Sequence, residues 1–161
     1  MNTFLLDKAF SRQYEEYFSN ELGLFLNNVN GDDGGVDLYD ATERIDVKCY
    51  GVPKYIKHFG GCFIETYLPK SNRAGWFLDE EKATTKYILV ADAERDRVSF
   101  WKSWIISKYN LRAAVVAATR NHDLTEKELE TAHGFIIPYK YLDEYAEEII
   151  EGERWRNEHG E

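Results

Sequence analysis

The chain has 161 residues, 43% of them hydrophobic and 15% aromatic, a composition that suits one folded domain over residues 1–161 and excludes a disordered chain. No run of roughly twenty apolar residues occurs, so no membrane partner is expected. The formal charge of −9 argues against a protein that coats nucleic acid nonspecifically, because phosphate binding is driven by Lys and Arg.

The opening MNTFLLDKAF lacks the basic flank and sustained apolar run of a secretory leader. Phe10, Tyr14, Tyr17, Phe18, Leu22 and Phe25 then recur at helical spacing, with Ser11, Arg12, Glu16 and Ser19 on the outer side. The breaker cluster from Asn30 to Gly35 ends that helix. Val36 and Leu38 alternate with Asp37 and Tyr39, and Ile45, Val47 and Cys49 alternate with Asp46 and Lys48. These two period-two runs predict a β-hairpin. Further strands are predicted at Gly61–Tyr67, Lys86–Ala91 and Val98–Lys102, the last leading into a helical stretch through Ile105 and Ile106. Asn121-His122-Asp123 reads as a loop or a helix N-terminal signal before Leu124, and Gly134–Pro138 reads as a short strand. Leu142, Tyr145, Ala146, Ile149 and Ile150 are spaced as in a helix over Tyr141–Ile150, with Glu151–Glu161 a polar helix end or frayed terminus. The expected class is α/β, a mixed central sheet flanked by helices.

Charge is distributed unevenly along this chain. Between Arg44 and Arg73 stand six basic residues (Arg44, Lys48, Lys54, Lys57, Lys70, Arg73) against two acids, Asp46 and Glu65. From Asp123 onward there are twelve acids against four Lys and Arg, a solubilising surface. A basic segment within an acidic protein is where an anionic partner would be met.

The hairpin carries the chemistry. A turn closing around Ala41-Thr42 pairs residues whose numbers sum to 83, so Asp40 faces Glu43, Leu38 faces Ile45 and Asp37 faces Asp46. Directly opposed residues have Cβ atoms about 4.5–5.5 Å apart, and two carboxylates so placed repel unless something positive lies between them. Lys48 falls on the same face, and Val36, Leu38, Ile45 and Val47 supply the core from the other. Two acids and a lysine on one face suit Mg²⁺ or Mn²⁺, which take oxygen ligands and keep waters for a substrate phosphate to displace. Such a cation polarises a phosphoryl oxygen and acidifies a water, while a lysine beside it orients or helps deprotonate that water.

Gly35-Val36-Asp37, eight intervening residues and Asp46-Val47-Lys48 resemble the core of the PD-(D/E)xK nuclease superfamily, among phage-type and Holliday-junction-resolvase-like members. The likeness covers residues 10 to 68, with Val36 standing where the family name has proline, and continues more weakly through Gly75-Trp76 and Lys86–Leu89. It implies a restriction-endonuclease-like core. It also implies a Mg²⁺- or Mn²⁺-dependent DNA endonuclease with Asp37, Asp46 and Lys48 as catalytic residues and Asp37, Asp46 and the Val47 carbonyl as metal ligands. An acid on the preceding helix is implied too: Glu15 first, then Glu16 and Glu21. Glu65 on the following strand matches the family's accessory polar residue.

The basic stretch Lys54, Lys57 and His58 is the expected hold on the DNA backbone. Tyr50, Tyr55, Phe59, Phe63 and Tyr67 interleave with basic residues, as core or as base-stacking rings. Cys49, His58 and Cys62 fit no zinc spacing. Two cysteines are too few for a disulfide scaffold, so a reducing, cytoplasmic setting is expected. The small size favours structure-directed cleavage, as a homodimer or inside a larger nucleic-acid-processing complex. The competing reading is a non-catalytic acidic binding module on the same scaffold, contacting a protein partner.

Overall fold

The computed structural model describes residues 3–27, 36–51, 60–95 and 98–155. Among them, helix α1 (Thr3–Leu22) leads into the two-residue strands β1 (Phe25–Leu26) and β2 (Leu38–Tyr39), then β3 (Arg44–Gly51). There follow β4 (Gly61–Leu68), β5 (Arg73–Ala74), β6 (Lys86–Arg95) and β7 (Val98–Ser107). Helix α2 (Lys108–Arg120), β8 (Thr125–Glu128), β9 (His133–Pro138), helix α3 (Tyr139–Tyr145) and β10 (Glu148–Trp155) complete the order. The chain is α/β, with a six-stranded mixed sheet ordered β1-β2-β3-β6-β7-β10 and a four-stranded sheet ordered β5-β4-β9-β8. No helix among the described residues is long and apolar enough to cross a membrane.

The hairpin has the expected register: Leu38 pairs with Ile45 and Tyr39 with Arg44. Its turn is held by Asp40, whose carboxylate accepts from the Thr42 and Glu43 N–H groups at 2.8 and 2.7 Å. This is the Asx geometry that lets aspartate replace the missing Asn-Gly signal. On the other side of the sheet, β3 runs parallel to β6, with Asp46 beside Tyr87 and Lys48 beside Leu89.

Helices alone do not cover both faces of the large sheet. One face packs on α1 through Tyr14, Phe18, Leu38, Val47, Ile88 and Trp101. The other packs against the second sheet and the later helices, through Phe63, Ile64, Trp76, Tyr87, Leu89 and Trp104. The strand at Gly61–Tyr67 is present but belongs to this second layer, where β4 pairs with β9.

Three expectations are overturned, each by long-range pairing. Ile105 and Ile106 continue β7, where β6 and β10 flank them, and the helix starts only after Ser107, whose hydroxyl accepts from Asn110 N–H. Their β-branched side chains suit a strand buried on both faces. Asn121-His122-Asp123 is the loop of its two readings, and the segment after it is strand β8, paired with β9, rather than a helix. The helix over Tyr141–Ile150 stops at Tyr145, Ala146 turns extended, and Glu148–Trp155 pairs with β7 from Val98 to Ile105. Ile149 and Ile150 thus lie in a strand, and Glu151–Trp155 extends it rather than fraying.

Gly134 lies where β9 crosses a bulge in β4 between Glu65 and Tyr67, and a Cβ there would sit 2.0 Å from the Ile64 carbonyl oxygen. Gly134→Ala must push the strands apart at Glu65, so it is expected to cost about 1–3 kcal/mol. A lowered urea midpoint at unchanged slope would show it; an unmoved midpoint would mean that β9 shifts freely.

Candidate active site

The site lies where β2 gives out. Among the described residues β2 pairs only with Arg44 and Ile45, and one residue earlier Asp37 leaves that register, its own N–H donating to the carbonyl of Ile45, the residue already paired with Leu38, at 2.8 Å. The next N–H along β3, that of Val47, donates to Asp37 Oδ2 at 2.7 Å. A strand residue projects its N–H and C=O to the same side. The Val47 carbonyl therefore points to the edge where Asp37 sits, as the implied ligand set requires.

Asp46 lies on the face shared with the second sheet and is 2% exposed. Its Oδ2 lies 3.1 Å from Lys48 Nζ and 3.9 Å from Lys82 Nζ, ion pairs rather than aligned hydrogen bonds. Asp37 and Asp46 are close enough for their carboxyl groups to share a hydrogen bond. Burial first, then the charge of Asp46 and that shared bond, push the Asp37 carboxyl up to about 8 from its ordinary 3.8; Glu15 adds to this and the Val47 N–H opposes it. Metal-free, the pair therefore holds one proton at neutral pH, as like-charged neighbours taken out of water do.

Burial works against the charge on Lys48, but Asp46 above all, with Asp37 and Glu65, outweighs it and holds the ammonium protonated above its ordinary range. The ammonium also lies 5.3 Å from the centre of the Trp76 ring. A lysine so held is a donor and a charge stabiliser, not a base.

The three candidate helix acids differ in burial. Glu15 is 13% exposed and Glu16 60% exposed at the side chain; both meet Arg12, at 3.4 and 3.6 Å, and Glu21 is exposed. Burial first raises the Glu15 pKa, Arg12 lowers it, and Asp46 raises it again, so Glu15 shares the field of the aspartate pair. Glu65 faces Lys48 electrostatically from the second sheet, and its Oε1 accepts from Trp76 N–H at 3.3 Å. The structure thus brings Glu15, Asp37, Asp46, Lys48 and Glu65 together. Lys54, Lys57 and His58, with Tyr55 and Phe59, lie outside the described residues. Tyr50 and Phe63 are core, joined by the Tyr50 hydroxyl donating to the Phe63 carbonyl at 2.6 Å, so neither stacks on a base. Cys49 and Cys62 are both buried.

Two site residues are missed by the sequence reading. Lys82 arrives from the loop before β6, inside an Asp79-Glu80-Glu81 charge run that looks like ordinary solvated surface. Tyr87 lies beside Asp46 with a fully buried hydroxyl that has no hydrogen-bond partner, and burial together with Asp46 pushes its pKa up. Only the β3–β6 register reveals it.

Among the described residues no group of three or more His, Cys, Asp and Glu side chains is arranged to hold a metal. Mg²⁺ needs less, one or two carboxylates plus substrate oxygens and water. Asp37 and Asp46 supply two carboxylates, with Asp46 Oδ2 in ion pairs with Lys48 and Lys82 that a cation would have to displace. No known protein-family profile matches this chain, and no curated protein or solved structure matches it significantly.

Proposed function

We propose that the protein is a divalent-metal-dependent deoxyribonuclease of PD-(D/E)xK type, hydrolysing phosphodiester bonds in DNA as an endonuclease. The observation that carries this reading is the pairing of half-buried Asp37 with buried Asp46 at the end of β2, with the Lys48 ammonium 3.1 Å from Asp46. Asp37, Asp46 and the Val47 carbonyl would hold Mg²⁺ or Mn²⁺, which when bound supplies charge for a phosphoryl oxygen and acidifies a water. Asp37 must give up its proton first, because a carboxylic acid is a poor cation ligand. With Asp46 engaged by a cation, Lys48 would have N–H groups to offer the attacking water or the developing phosphorane charge. Glu15 lies in the outer ring of the pair, and Glu65 and Trp76 fix the direction of Lys48. Lys82 is a second cation for the approaching phosphate, which matters in a chain of net charge −9.

Incubation of linear and branched DNA with Mg²⁺, Mn²⁺ or EDTA tests the reading. Cleavage is expected with either metal and none in EDTA; intact DNA under every metal condition would sink it. One observation favours the non-catalytic acidic module: two lysines already neutralise Asp46 in the absence of metal, so the pair is self-contained. A protein that binds a basic partner and cuts nothing would support that reading.

A further inference from the structure

Phe25, Tyr39 and Arg44 form one row across β1, β2 and β3, paired in register. The two rings lie 5.6 Å apart between centroids, tilted by 34°, and the Arg44 guanidinium sits 5.9 Å from the Tyr39 ring centre. That guanidinium is pinned from behind, one nitrogen donating to the Asp40 and Glu43 carbonyls at 2.6 and 3.0 Å. Leu38 and Ile45, on the opposite face of the same strands, fill the core. The row has no such duty: Phe25 is 65% and Tyr39 38% exposed. Alternation puts Tyr39 on the face of Asp37 and Arg44 on the face of Asp46, each about 6.6–7 Å from its acid. An exposed aromatic pair crossed by a fixed cation thus lies on the same surface as the aspartate pair, one step away.

We infer that this row is a stacking platform for an unpaired nucleobase of the strand whose phosphate enters the Asp37–Asp46 site. Flat aromatic faces and a guanidinium plane are the surfaces on which bases stack without regard to sequence. A base inside a duplex has both faces covered by its neighbours, so only a flap, overhang or single strand can occupy the platform. The inference names the substrate class of the proposed nuclease and rests on that reading for the position of the phosphate.

The test is the affinity of the full chain, in Ca²⁺, for a fluorescein-labelled single strand of mixed sequence and for its blunt duplex. Cleavage of both is followed separately in Mg²⁺. The Phe25→Ala/Tyr39→Ala double variant is expected to weaken single-strand binding about tenfold and leave duplex binding unchanged, while Tyr39→Phe keeps both. Exposed rings are cheap to remove; should the double variant melt low, Phe25→Ala alone gives the same readout. Equal single-strand affinity in wild type and variant overturns the platform, as does a wild type that binds no single strand. If wild type then still cuts duplex DNA, the nuclease reading stands without it. Single-strand binding lost on alanine substitution, with no cleavage of any DNA, keeps the platform and removes the nuclease.

Discussion

Asp46→Asn is expected to bring DNA cleavage in Mg²⁺ below detection while the chain stays folded. The substitution keeps the shape of the side chain but removes the charge that faces Asp37, Lys48 and Lys82 together. Lys48→Ala should lower the rate roughly a hundredfold or more, the loss typical of removing one positioned donor. Lys48→Arg should recover little, since a planar fork does not repeat the contacts of a compact ammonium beside Trp76. In EDTA, Asp46→Asn should melt below wild type, because it strips Lys48 of its nearest counter-charge. Cleavage by Asp46→Asn at the wild-type rate would remove Asp46 from the chemistry.

The second large effect is a pH dependence with a definite sign. A carboxyl group with a higher pKa in the folded chain than in the unfolded one binds more protons when folded. For Asp37 the stabilising contribution is therefore complete below its ordinary 3.8 and is lost as pH rises through about 8. Glu15 shifts in the same direction, whereas Asp40, Asp123 and Asp143 are lowered and act at the acid end. The useful quantity is thus the difference in melting temperature, without metal, between wild type and Asp37→Asn. Asparagine keeps the bulk and the carbonyl acceptor for Val47 N–H but cannot ionise. The variant should match wild type near pH 4, gain on it progressively as pH rises towards about 8, and keep a constant lead above that. Mg²⁺ should reverse the order, stabilising wild type most where Asp37 is already ionised and leaving the variant nearly unmoved. Parallel curves for the two proteins would mean that Asp37 titrates normally.

The part of the site carried by the hairpin was legible in the sequence because period-two alternation fixes which side chains share a face. A turn centred on Ala41-Thr42 is enough to bring Asp37 to Asp46, and the amphipathic stripe of α1 is enough to rank Glu15 among the helix acids. What alternation cannot express is which strand lies alongside. Glu65 reaches Lys48 from a different sheet, and Lys82 and Tyr87 reach Asp46 because β6 runs parallel to β3. Ile149 and Ile150 satisfy a helical spacing and a strand equally well over so short a run. The ladder with β7 decides between them, and no local signal announces that ladder.

The position of β10 bears on how the chain is made. It follows every other described element, yet it shields β7 from Val98 to Ile105. While the chain emerges from a ribosome, that edge stands open until β10 has been made, with Trp101, Trp104 and Ile105 beside unpaired backbone groups. An open apolar edge is a template for another chain. Nascent copies held close together on one message would meet at β7, so the spacing of ribosomes, rather than the stability of the finished fold, would govern the yield of soluble protein.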